Sequence, residues 1–98
     1  MTAQVEVSGD VILLKGDLLF STILSVRETL TKMVTATDQA WVVDFAGVGR
    51  VDSSAVSLWL CLQRAARGRQ LSLKAVNIPA ELHSIVSLVG LEHTGLNP

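Results

Sequence analysis

The apolar positions of this chain fall into runs whose period switches between two and about 3.6, and each switch marks an expected element. Val5 and Val7 alternate with polar neighbours, residues 11–14 are apolar throughout, and Ser8, Gly9 and Asp10 stand between them. That order predicts an opening antiparallel hairpin, which the stretch KGDL at residues 15–18 is expected to end. From Ser21 or Thr22 to about Thr35, the residues Ile23, Val26, Leu30, Met33 and Val34 recur at helical spacing, as in an amphipathic helix with one buried stripe. Residues 40–45, AWVVDF, are too short for a helix and nearly unbroken in apolar character. They read as the core strand, covered on both faces or on one face and by a neighbour. The stretch AGVGRVD reads as a loop, residues 54–67 as a helix stopped near Gly68, and residues 71–76 as a strand. Asn77 and Pro79 then open a last helix with Leu82, Ile85, Val86 and Val89 on one face and Gly90 as its stop.

The resulting order β-β-α-β-α-β-α joins strands through helical crossovers, so the expected fold is α/β, a small mixed sheet with a parallel centre packed by helices. At 98 residues the chain has room for one core, and residues 1–98 are expected to form a single domain. The formal net charge of −1 argues against nucleic acid as a partner. Arg64, Arg67, Arg69 and Lys74 group loosely, yet no aromatic residues interleave with them to form a stacking platform, and they read as a solvated helix end. Asp44, Asp52, Gln63 and Lys74 interrupt every apolar segment before it reaches the roughly 18 residues that span a bilayer. No basic stretch followed by an apolar run opens the chain, so a cytoplasmic location is expected.

Candidate chemistry concentrates in RVDSSAVSLWL, residues 50–60, where an acid and two hydroxyls precede an apolar helix. Helix capping needs such oxygens, because the first-turn N–H groups have no partner inside the helix. A nucleophilic serine would need a base and a glycine-flanked elbow, and neither accompanies Ser53 or Ser54. AGVG is too short and lacks the lysine of a phosphate-cradling loop, so no nucleotide is expected. Cys61 is the only cysteine, and His83 and His93 have no ligand spacing with it, so neither metal nor cofactor is expected. Along the helix, Ala55, Leu58, Trp59, Leu62 and Ala66 share one face, whereas Val56, Leu60 and Cys61 fall well around the cylinder and Ser57, Arg64 and Arg67 mark its wetter side. That apolar surplus reads either as core or as a partner-binding surface.

These residues resemble the STAS domains, the module shared by sulfate transporters and anti-sigma-factor antagonists. The likeness spans nearly the whole chain and is carried by WVVDFAGVGRVDSSAVSLWLCLQRAARGRQLSLKAV, with its DSSG-like turn, and by GLEHTGL near the end. Within the family the chain looks most like the cytosolic subunit of Mla-type phospholipid-transport ABC complexes, which maintain outer-membrane lipid asymmetry. That resemblance implies a non-catalytic regulatory subunit whose partner is the ATPase of a membrane complex, held at the inner membrane through that partner. The rival reading is an anti-sigma-factor antagonist, whose partner would be a serine kinase with anti-sigma activity. By position, the phosphorylated serine of antagonists falls on Ser54 and the threonine of transporter-type motifs on Ser53, so both are candidate phosphorylation sites. Asp52 matches the motif aspartate, and Ala55 departs from the usual glycine. The resemblance thus implies a regulatory loop of Asp52, Ser53, Ser54 and Ala55 beside a partner-binding helix face of Ser57, Leu58, Cys61 and Arg64.

Overall fold

The structure is a computed structural model that describes residues 3–36, 40–68 and 71–88. Its elements follow the expected order: β1 (Gln4–Ser8), β2 (Val11–Leu18), α1 (Ile23–Ala36), β3 (Trp41–Val51), α2 (Ser53–Gly68), β4 (Leu73–Val76) and α3 (Ala80–Leu88). The strands form one 4-stranded sheet in the order β1-β2-β3-β4. β1 and β2 pair antiparallel across a tight turn in which Gly9 takes a positive φ of 61°, open to glycine without strain. β2 with β3, and β3 with β4, pair parallel.

The core lies between the sheet and the helices. Ile12, Leu14, Trp41, Val43 and Phe45 point inward at period two, and Val26, Leu30, Val34, Leu58, Trp59, Leu62, Leu82 and Val86 close over them. The Phe45 and Trp59 rings meet edge to face, 6.3 Å apart at 64°, joining β3 to α2. Alternate residues on the other sheet face, Val42 and Asp44 among them, are only partly buried. The core strand is therefore covered on one face, and its apolar outer side is only half sheltered.

The structure corrects three expected boundaries. AGVGRVD is not a loop, because β3 continues through it to Val51. KGDL does not end the hairpin, because β2 continues through it to Leu18. Here Gly16, at φ 88°, absorbs register shifts between the two strands rather than turning the chain. The glycines opposite exist for close approach. A Cβ on Gly47 would stand 2.8 Å from the Leu14 carbonyl oxygen, and one on Gly49 would stand 2.7 Å from Asp17 Oδ1. The last strand also begins at Leu73 rather than residue 71. The last helix keeps Leu82 and Val86 buried as expected, while Val89, Gly90 and the GLEHTGL stretch lie outside the described residues.

Candidate functional site

The DSS stretch lies where β3 hands over to α2. Val51 pairs with Leu18 at the far end of the parallel ladder, so the chain leaves the sheet beside the point where β2 also ends. Two segments far apart in sequence, residues 17–22 and 52–55, therefore meet at one end of the sheet.

Asp52 holds them together. Its Oδ1 accepts the Ser54 backbone N–H at 2.8 Å, while its Oδ2 accepts the Phe20 backbone N–H at 2.9 Å. Its own N–H donates to the Leu18 carbonyl at 3.2 Å, and its carbonyl accepts the Ala55 N–H at 3.1 Å. Asp52 is thus the N-cap of α2, and one carboxylate serves both a helix start and the turn before α1. Burial pushes its carboxyl up, but the Phe20 N–H and the hydroxyl and N–H of Ser54 outweigh that and hold it below the ordinary 3.8. On the α1 side, the Thr22 hydroxyl donates to the Asp17 carbonyl at 2.6 Å and accepts the Leu19 N–H at 3.0 Å. The buried Asp17 takes the Arg50 N–H on Oδ1 at 2.8 Å. The turn between β2 and α1 is fixed from both ends.

The two serines are not equivalent. Ser53 is exposed at the first helical position, whereas Ser54 is partly buried and its hydroxyl bonds to Asp52. Neither is the cap itself. Ala55 is 1% exposed in the first turn, and it has no positive φ, so alanine fits where the family motif carries glycine.

Ser57 and Arg64 are exposed on the outer crest of α2, and Cys61 is partly buried beside them. Leu58 and Ala55 are core residues rather than surface ones, since they are 2% and 1% exposed and belong to the hydrophobic core. Leu58 does form the floor of a groove of about 200 Å³ whose walls are Phe20, Ile23 and Arg27 on one side and Ser54, Ser57 and Cys61 on the other. The surplus apolar positions divide accordingly: α2 packs on both α1 and α3, Val56 is buried, and Leu60 and Cys61 stay half-covered. Phe20, 86% exposed, was not singled out by the sequence, where it reads as the tail of the apolar run LLF.

His83 lies on α3 with its Nδ1 buried and without a hydrogen-bond partner, so no carboxylate holds that nitrogen. His93 and Arg69 lie outside the described residues. Among the described residues, no group of three or more His, Cys, Asp or Glu side chains is arranged to hold a metal. No helix among them is long and apolar enough to cross a membrane.

Comparison with known proteins bears on this geometry. The fold matches SpoIIAA, an anti-sigma factor antagonist solved in its unphosphorylated form, with a TM-score of 0.67 at 18% identity over 88% of this chain and 82% of that one. The phosphorylated form of SpoIIAA, a Bacillus cell fate determinant, gives a TM-score of 0.70 at 17% identity over 98% of this chain and 90% of the other. A structure of Mglu shares the fold over 79% of this chain and 19% of its own, with a TM-score of 0.59 at 24% identity. No curated protein sequence matches the chain. The family model described as "Mlab, STAS domain" matches residues 1–98, and the chain belongs to that family of STAS domains.

Proposed function

We propose that this protein is a non-catalytic subunit that binds the ATPase of a Mla-type phospholipid-transport ABC complex, in the cytoplasm and held at the inner membrane through that partner. The observation that carries this reading is the family match over the whole chain, whose description names Mlab. The geometry adds support: the Asp52 cap locks one end of the sheet into a fixed surface with Ser53 at its apex and the crest of α2 beside it. Ser53, Ser57, Cys61 and Arg64 form the docking stripe, and Ala55 and Leu58 support it from beneath.

The chemistry of the turn suits binding better than turnover. Its Ser54 and Ala55 N–H groups are taken by Asp52, the Ser54 hydroxyl faces a carboxylate held in the ionised form, and the nearby groove is smaller than the roughly 300–1,000 Å³ of small-molecule sites. Purified chain mixed with the ATPase subunit of the complex is expected to co-elute with it on gel filtration. The chain alone is expected to show neither saturable ATP binding nor ester hydrolysis.

A second reading is an antagonist of an anti-sigma factor switched by phosphorylation at Ser53 or Ser54. The fold shared with SpoIIAA in both its forms favours it, as do the two hydroxyls at a helix N-terminus, where a phosphate is electrostatically tolerated. Co-elution with a serine kinase in place of the ATPase would select that reading.

A further inference from the structure

β1 is an edge of the sheet, and the pairing pattern of its hairpin fixes which of its backbone groups face outward. Ser8 and Val11 flank the two-residue turn of Gly9 and Asp10, so they form a hydrogen-bonded pair, and the pattern repeats at Glu6 with Leu13 and at Gln4 with Lys15. The Asp10 carbonyl agrees with that alternation, since it accepts the Val42 N–H at 2.9 Å on the other side of β2. Val5 and Val7 therefore direct their N–H and C=O groups away from β2, to an edge that carries no further strand among the described residues.

Exposed edges are ordinarily blunted by proline, lysine, a bulge or a very short strand. β4, the other edge, has four residues and an exposed Lys74. β1 has none of these devices: QVEVS keeps an unbroken register over five pairs, and its one charge, Glu6, is bound to Lys15 at 3.0 Å. Apolar surface accompanies the free edge. Val7 is 51% exposed, although it shares a face with Val5 and Ala3, both of which pack on the core. Beside those two, a hollow of about 270 Å³ is lined by Ala3 and Val5 from the strand side and by Ser25, Val26 and Thr29 from α1.

We propose that β1 pairs antiparallel with β1 of a second copy of this chain, about a two-fold axis at Val5, joining the two sheets edge to edge. The residues of the strand select that register. Centred on Val5, it sets Ala3 opposite Val7 of the second copy and brings that valine to the hollow beside Ala3 and Val5. On the other face it sets Gln4 opposite Glu6 of the second copy, amide against carboxylate. The three outward-facing pairs exchange about six backbone hydrogen bonds. Centring on Glu6 opposes two like charges, and centring on Val7 sets Val5 against Gly9 of the turn. A slip of one residue mispairs both the backbone groups and the faces. Two-fold pairing occupies both β1 edges, so assembly closes at two. Neither Asp52, Ser53 nor the crest of α2 takes part, and the dimer is independent of the ATPase reading.

The test is sedimentation velocity on the full chain from about 10 μM to about 1 mM, with melting curves to show that each variant is folded. The parent is expected to pass from monomer to dimer over that range. Val7→Lys, a charge on the free edge, should weaken the dimer roughly tenfold or more. Gln4→Glu should weaken it and Gln4→Lys strengthen it, each by about threefold or more, because the symmetry changes two pairs at once. Within one copy Gln4 stands opposite Lys15, so a purely local effect of these two substitutions has the opposite sign. In a mixture of isotope-labelled and unlabelled chain, an NOE between the Gln4 Hα of one copy and the Glu6 Hα of the other reports the register. A monomer throughout, a dimer indifferent to all three variants, or a dimer without that NOE overturns the proposal. So do species growing past two, which would mean that β1 pairs with the β4 edge.

Discussion

Replacing Asp52 with alanine removes the acceptor that caps α2 and releases the turn carrying Phe20. The cap accounts for most of the cost. Loss of an N-cap acceptor destabilises by about 1 kcal/mol, whereas the freed Phe20 N–H and Ser54 hydroxyl lie near the surface and turn to water at little cost. In a domain of this size that loss lowers Tm by roughly 4–8 °C. Asp52→Asn separates the two duties, because its amide oxygen still accepts the Ser54 N–H while its NH₂ group opposes the Phe20 N–H, donor against donor. It should melt closer to the parent, yet show faster hydrogen exchange at the Phe20 amide. The pH dependence has a definite sign. The folded carboxyl titrates below its ordinary value, so its stabilisation is fully present above the unfolded pKa of about 3.9 and is lost as pH falls through the lower folded pKa. The Tm gap between parent and Asp52→Ala should hold steady from pH 7 to about pH 5 and narrow below about pH 4. Thermal melts across that range, with exchange measured by NMR, are the assay. An Asp52→Ala protein that melts with the parent at pH 7, or a gap that widens in acid, would refute the clamp.

Other variants test the packing and the turn. Gly47→Ala should cost about 1–3 kcal/mol in urea unfolding, because its Cβ would meet the Leu14 carbonyl, which is backbone and cannot swing aside. Gly49→Ala should cost less, about 1 kcal/mol, since the Asp17 carboxylate can move at the expense of its bond to Arg50. Leu58→Asp should abolish cooperative melting, because a side chain 2% exposed cannot ionise in place without several kcal/mol of cost. Ser53→Asp should melt within a degree or two of the parent, its charge sitting in water at a helix N-terminus. Ser54→Asp should melt lower, because it replaces the hydroxyl that bonds Asp52 with a second carboxylate.

The apolar period made the order of elements legible, since the stripe of Val26, Leu30 and Val34 and the inward set of Leu58, Trp59 and Leu62 are the buried ones. Glycine misled at Gly16, Gly47 and Gly49. From sequence these residues signal turns, whereas here Gly16 takes a positive φ within β2 at a register shift, and Gly47 and Gly49 lie so close to β2 that a Cβ does not fit, long-range reasons that no local pattern carries. The acid and hydroxyls of the DSS stretch announced a capped helix, but not which residue caps it. The Asp52 bond to Phe20 joins residues 32 positions apart, and only the sheet brings them together. That bond also separates the serines, which the sequence offers alike as cap oxygens and as candidate phosphorylation sites. With Asp52 as the cap, Ser53→Ala is expected to cost well under 1 kcal/mol.

The central claim, that the Ser53 end of α2 is where the ATPase docks, is tested most directly by comparing the affinity of the purified ATPase subunit for the parent and for Ser53→Asp at matched salt. The account predicts saturable binding by the parent and at least tenfold weaker binding by Ser53→Asp, about 1.4 kcal/mol, with its melting temperature unchanged. The added carboxylate would have to lose water at the interface beside Asp52. Equal affinity for the two proteins, or no binding by the parent, would contradict it.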